Sequence, residues 1–238
     1  MGNLQNCPRS YSDKKEKLIV MKIFIAALPL LLFSAALHAS DLEVELLSAG
    51  TDIHDKESLR RGSQFFVDNC TACHAAKFMR YERLAQDLEM SEEDVMKKLV
   101  RFGATKLTDS IPSAVTPELA KLSYGVAPPD LSLEAKYRGV NWVYSYLMGF
   151  YADEDATFGY NNHVLKNVAM PWTLADYQAS VHEEEFSRAM RDLTNFMDYM
   201  SEPIKPWREV FGKYVIIFLL FILIPIWLLK KEYWKDID

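Results

Sequence analysis

Cys70-Thr71-Ala72-Cys73-His74 is the pentapeptide in this chain whose residue types and spacing carry redox chemistry. Two thiols two residues apart, followed at once by an imidazole, match the spacing that attaches a c-type haem. Positions three and four apart on a helical turn share a face. That lets both sulfurs add to the haem vinyl groups while the imidazole meets the iron from the same side. Two plainer readings compete. A Cys-x-x-Cys pair also serves in thioredoxin-like redox sites, which need a βαβ setting that is not visible around Cys70. The other is half a zinc site. The remaining cysteine is the distant Cys7, and no second Cys or His pair completes a tetrahedron.

The elements that must position this pentapeptide leave their own marks. Leu59, Gly62, Phe66 and Cys70 follow helical spacing, which predicts a helix from Ser58 into the motif. Met79 is five residues past His74, too near to cross to the opposite haem face, and is read as packing. Ser91 before Glu92-Glu93-Asp94 predicts a capped helix, with Val95, Met96, Leu99 and Val100 as its buried stripe. Gly103 to Thr116 reads as a loop. Pro128-Pro129, within Gly125 to Ser132, makes a rigid extended rail, because each proline fixes φ and removes a donor. Such a rail walls a flat cofactor or simply stiffens a loop. Val140 to Tyr151 is aromatic and apolar nearly all round, which predicts a short helix buried on most sides. Arg138 stands at its head. A planar guanidinium there suits a haem propionate, which it grips bidentately, or a surface ion pair.

A haem in an electron carrier commonly has His and Met axial ligands. The chain has ten methionines. Met170 sits in a loop, where a side chain is freely aimed. Pro171 stiffens that loop, Trp172 supplies apolar cover, and the segment lies far enough downstream of His74 to wrap to the other face. Met90, Met190, Met197 and Met200 fall at helix edges or on core-type stripes. His163 and His182 are the rival sixth ligands. Ser180 to Met200 is expected to be an amphipathic helix. Ser180 and Glu183 would form a capping box, with Glu183-Glu184-Glu185 in the first turn. Phe186, Met190, Leu193, Met197 and Met200 would lie on its buried face, and Pro203 and Pro206 would close it.

The 238 residues permit one globular domain plus extras. Met21-Lys22 and the apolar Ile23 to Leu37, followed by Leu37-His38-Ala39, read as a signal peptide over residues 21–39. Residues 1–20 read as an upstream extension, with Met21 as the functional start. An uncleaved N-terminal anchor is the alternative, though the run is short for a span. Residues 1–39 carry five Lys/Arg and two Asp/Glu. Their removal leaves 22 basic against 31 acidic side chains, a net −9 where the whole chain has −6. That balance argues against nucleic acid, whose phosphates demand Lys and Arg. It favours a basic protein partner steered in by long-range attraction. Val210 to Leu229, interrupted by Gly212 and Lys213, is long enough at about 30 Å to cross a bilayer core. Trp207 and Tyr214 flank one end and Tyr233 and Trp234 the other, as interfacial aromatics do.

Several words beyond the haem motif resemble the cytochrome c1 family of the quinol–cytochrome c oxidoreductase, the bc1 complex. They are Arg61-Gly62 before the motif and Ala76-Lys77-Phe78-Met79-Arg80-Tyr81 after it. They continue with Ala127-Pro128-Pro129-Asp130-Leu131-Ser132, Arg138-Gly139 with Trp142 to Leu147, and Asn167-Val168-Ala169-Met170-Pro171. The resemblance implies a mostly α fold: a cytochrome c-type monohaem domain with loop insertions plus one C-terminal transmembrane helix. The expected layout is a periplasmic haem domain over 40–205, an anchor over 206–229 and a cytoplasmic tail over 230–238, in a bacterial inner membrane. It implies one covalently attached haem c, with Cys70 and Cys73 as attachments, His74 proximal, Met170 distal and Arg138 on a propionate. It further implies an electron taken from the Rieske iron–sulfur protein and passed to cytochrome c, beside cytochrome b in a dimeric complex. A free-standing membrane-anchored shuttle and a cytochrome subunit of a terminal oxidase are the alternatives.

Overall fold

Helices dominate the computed structural model, which describes residues 44–235: nine of them, with four short strands, among the described residues. The expected upstream extension, signal peptide and cleavage site lie outside the described residues, as do 236–238. From Leu46 onward the chain forms one unit.

Helix α1, Lys56–Asn69, starts where Asp55 accepts the Ser58 amide at 3.0 Å. Its apolar stripe of Leu59, Phe66 and Val67 is buried against α8, Glu183–Ser201, whose Met190, Leu193 and Phe196 are buried in turn. Fully burying side chains of this size contributes roughly 1.5–3 kcal/mol each. The two helices nearly touch at Gly62. A Cβ there would lie 2.1 Å from the Asp192 carbonyl oxygen and 2.8 Å from Phe196 Cβ. One residue back, Arg61 grips the Asp192 carboxylate from Nε (2.6 Å) and Nη2 (3.0 Å), and Ser58 Oγ donates to the same group at 2.7 Å. Asn195 Nδ2 ties Ser58 Oγ (3.0 Å) and the Asp52 carbonyl (2.8 Å) into the crossing.

After the haem motif, strand β1 (Ala76–Arg80) leads directly into α2 (Tyr81–Asp87), followed by α3 (Glu92–Lys98). Ser91 caps α3 as expected, accepting the Asp94 amide at 3.1 Å. Val95 and Leu99 are fully buried, but Met96 is 37% exposed and does not belong to the stripe. The segment expected to be loop throughout holds strand β2 (Ser110–Ile111), antiparallel to β1. Helix α4 (Pro117–Tyr124) and the short α5 (Glu134–Arg138) precede α6, Val140–Met148.

The aromatic helix is shorter than its composition suggests. It stops at Gly149, and Phe150 and Tyr151 pass into β3 (Phe150–Ala152), paired with β4 (Tyr160–Asn162). It is buried or half-buried on most sides, as expected. Val143, Tyr144, Ser145 and Leu147 are buried, Trp142 and Tyr146 are half-buried, and Asn141 is exposed. The expected Ser180–Met200 helix is likewise two helices. Helix α7 (Ala175–Ser180) ends at the extended Val181, and α8 begins after His182, which makes no side-chain cap. Ser180 Oγ donates to the Tyr177 carbonyl at 2.9 Å, so the capping box with Glu183 does not form. Met79, Met190, Met197 and Met200 are buried in the core.

Helix α9, Lys205–Tyr233, opens with Pro206 in its first turn and is long and apolar enough to cross a membrane. None of its residues is buried, and a helix apolar all round with nothing covering it suits lipid. It carries the expected span and continues four residues beyond it. Pro225 lies inside it.

Candidate haem site

The haem pentapeptide continues the last turn of α1. Cys70 N–H donates to Phe66 O at 2.9 Å, and the amides of Cys73 and His74 both donate to Cys70 O, at 3.1 and 2.9 Å. Thr71 turns inward, its hydroxyl donating to Val67 O at 2.6 Å and its carbonyl accepting Ala114 N–H at 2.9 Å. This anchors the turn while leaving its neighbours at the surface of the core. Cys70 and Cys73 are both free thiols, partly buried. Burial, with Cys73 beside it, pushes the Cys70 thiol up to about 12, so it stays protonated at neutral pH.

His74 Nδ1 lies 2.8 Å from the Pro129 carbonyl oxygen. A carbonyl only accepts, so Nδ1 carries the proton and Nε2 keeps its lone pair. Burial holds the His74 pKa below the ordinary value, against the opposing pull of the Pro129 carbonyl and of the Glu134 and Asp130 charges. A neutral imidazole with an oriented Nδ1–H and a lone pair on Nε2 is what an iron ligand requires. The donor set therefore fits a covalently held haem.

The Pro128-Pro129 rail is clasped to the residues after the motif. Leu131 N–H donates to Ala75 O at 2.9 Å, Asp130 Oδ2 accepts Lys77 N–H at 2.9 Å, and Ser132 Oγ accepts Phe78 N–H at 3.1 Å. Asp130 Oδ1 also accepts the Ser132 amide at 2.9 Å, closing an Asx turn.

Arg138 is ion-paired to Glu134, Nε to Oε2 at 3.0 Å, one helical turn back. Its guanidinium lies 4.4 Å from the Trp142 ring centroid. The bond to Glu134 uses one of the five guanidinium donors. Trp142 in turn stacks on Tyr146, with centroids 5.1 Å apart.

Met170 is partly buried, and the Tyr146 hydroxyl donates to its sulfur at 3.5 Å. Its loop is fastened on both sides. Upstream, Asn162 is fully buried; its Nδ2 donates to Tyr146 O at 2.7 Å and its Oδ1 accepts Val164 N–H at 2.8 Å. Asn161 Oδ1 accepts the Asn167 amide at 2.9 Å, and Asn167 takes a left-handed turn at φ 59°. Downstream, Trp172 stacks on Phe150 at 4.0 Å, and its indole N–H donates to Gln178 at 2.9 Å. His163 lies exposed against the Tyr151 ring, 4.4 Å between centroids, and His182 is exposed ahead of α8.

Sequence reasoning missed three participants. The Pro129 carbonyl, the Tyr146 hydroxyl and the Asn161-Asn162 pair do their work across loops rather than within one element. Only the asparagine pair left a signal, two turn-forming residues shortly ahead of Met170.

The profile of the Cytochrome C1 family matches residues 48–237. The chain is 39% identical over 244 residues to the cytochrome c1 of Allochromatium vinosum, covering 91% of this chain and 100% of that one. It is 40% identical over 235 residues to a protein of Nitrosomonas europaea named ammonia monooxygenase gamma subunit, covering 92% and 99%. The mitochondrial cytochrome c1 heme protein of Saccharomyces cerevisiae is 29% identical, covering 77% and 68%. A family match over four-fifths of the sequence, on a helical fold that carries the haem motif and a C-terminal membrane helix, makes this chain a member of the cytochrome c1 family.

Proposed function

We propose that this chain is the haem c subunit of a quinol–cytochrome c oxidoreductase, taking one electron at a time from a Rieske iron–sulfur protein and passing it to a cytochrome c. The observation that carries the reading is the His74 geometry. Its Nδ1–H is fixed on Pro129 at 2.8 Å, its Nε2 keeps a lone pair, and the free thiols of Cys70 and Cys73 lie on the turn that leads into it. One haem c bound here supplies a one-electron iron couple. Cys70 and Cys73 would hold it through thioethers, and His74 and Met170 would supply its iron ligands. Arg138, whose other guanidinium donors are not used by Glu134, binds a propionate. The protein's part is to orient, bury and tune the group.

Helix α9 anchors the chain in the bacterial inner membrane as a single pass, beside cytochrome b in a dimeric complex. The haem domain lies on the periplasmic side, with a short tail opposite. The exposed acids of Glu183-Glu184-Glu185 and Glu154-Asp155 are the docking surface for a basic electron carrier.

The test is gentle detergent solubilisation of membranes containing the tagged full chain. Co-purification of a b-type cytochrome and a Rieske iron–sulfur protein is the expected result. Isolation as a lone red protein, or with subunits of an oxygenase or a terminal oxidase, would overturn the assignment.

A further inference from the structure

We propose that Tyr146 is a positioning residue that sets the electron affinity of the haem through the sulfur of Met170. The inference rests on the reading of Met170 as the distal ligand. A thioether sulfur has two lone pairs. With one given to iron, the other remains to accept a hydrogen bond, and the Tyr146 hydroxyl is already donating to this sulfur at 3.5 Å.

Both members of the pair are held by structure that does not depend on the bond between them. The Tyr146 ring stacks on Trp142 at 5.1 Å and meets Phe150 edge-on at 5.1 Å. Its backbone carbonyl receives Asn162 Nδ2 at 2.7 Å, from the segment that leads into the Met170 loop. The same residue therefore supports the loop with its main chain and reaches the sulfur with its side chain. A phenylalanine would fill this aromatic stack equally well, so packing does not account for the hydroxyl.

A proton shared toward sulfur withdraws electron density from it and makes it a weaker donor to the metal. Ferric iron, with the larger charge, loses more by this than ferrous iron. The hydrogen bond therefore favours the reduced state and loosens the sulfur–iron bond. Hydrogen bonding around the axial ligand is one of the levers by which a protein sets haem potential. A single net hydrogen bond changes an equilibrium by about fivefold. For a one-electron couple that corresponds to about 40 mV, at about 59 mV per decade.

The experiment compares the haem-loaded full chain in detergent as wild type, Tyr146→Phe and Tyr144→Phe, by mediated redox titration and by imidazole displacement of the sulfur. Tyr144 is the matched control. It sits on the same helix, and its hydroxyl pairs with Ser187 Oγ at 2.8 Å rather than with the sulfur. The expected result is a lower midpoint potential for Tyr146→Phe, by up to about fivefold in the oxidised-to-reduced ratio. Imidazole should also displace the sulfur several-fold less readily, with Tyr144→Phe near wild type in both. An unchanged potential and unchanged displacement in Tyr146→Phe, with the wild-type sulfur–iron charge-transfer band present, would overturn the role of Tyr146 alone. An equal shift in Tyr144→Phe would overturn it as well. A wild type without that band would overturn the ligand reading of Met170 first, and the proposal with it.

Discussion

The His74 imidazole donates from Nδ1 to the Pro129 carbonyl at 2.8 Å, joining positions fifty-five residues apart. That acceptor is aimed by Asp130, which takes the amides of Lys77 and Ser132, both at 2.9 Å. Asp130→Ala removes both acceptors and loosens the rail. Stability is expected to fall by about 1 kcal/mol, and the haem reduction potential to move as the imidazole loses its fixed orientation. Haem attachment should persist, because the thiols do not depend on Asp130. Denaturant unfolding and redox titration of the detergent-solubilised chain check this, and no change in either would contradict it.

Gly62 is required by a helix crossing. A Cβ at this position meets the Asp192 carbonyl oxygen at 2.1 Å, and backbone cannot rotate away as a flexible side chain would. Gly62→Ala must push α1 off α8 and is expected to cost about 1–3 kcal/mol. It should also lower the yield of haem-loaded protein, since α1 carries the motif. The thermal midpoint of the variant measures the effect, and a midpoint equal to wild type would refute the crossing.

Asp192 holds two helices through one carboxylate, taking Arg61 twice and Ser58 once. Asp192→Ala leaves the buried Ser58 hydroxyl without this acceptor and removes the fork. The expected loss is about 1–3 kcal/mol. Asp192→Asn keeps one acceptor oxygen and should lose less. Equal losses in the two variants, by denaturant titration, would contradict the assignment of the effect to hydrogen bonding.

Glu202 sits between α8 and α9. Hydrogen bonds from Arg208, at 2.5 Å, and from Lys136, with the charges of both, lower its pKa from 4.5 to about 2. The carboxylate is thus stabilised in the folded chain above about pH 4.5, and that stabilisation is lost as pH falls toward 2. Glu202→Gln should flatten this part of the acid-unfolding curve while leaving the curve near neutrality parallel to wild type. An acid limb of unchanged steepness in the variant would disprove the role of Glu202.

The exposed Glu183-Glu184-Glu185 cluster predicts a salt-sensitive encounter with a basic electron carrier. Replacing all three by Gln should slow association at low ionic strength and flatten its dependence on salt, because exposed charges are screened beyond about 10 Å at about 0.1 M. Stopped-flow electron transfer over a salt series is the measurement. A salt-independent wild-type rate would remove this docking surface from the account.

The haem motif was legible because its chemistry is packed into five consecutive residues, and the membrane helix because its apolarity is continuous. Cap residues such as Ser91 were legible for the same local reason. The break at Val181 was not, since the stripe of Phe186 to Met200 carries no mark of where its helix begins, and Ser180 had a nearer acceptor in the Tyr177 carbonyl. Arg138 shows the limit of a residue-type argument: a guanidinium suits several anions, and the chain itself offers Glu134 one turn away. Gly62 stood out beside Arg61 among the words that carry the family resemblance, but its reason is the approach of Asp192, far along the chain. The bonds of Pro129 to His74 and of Tyr146 to Met170 depend on loop register, which no periodicity encodes.

A haem joined to this chain by Cys70 and Cys73 should survive acid–acetone extraction of the purified protein. The pigment should stay with the polypeptide in the wild type and pass into the organic phase, or be missing altogether, in the Cys70→Ala/Cys73→Ala double variant. A colourless wild-type protein, or one whose pigment extracts completely, would contradict the account.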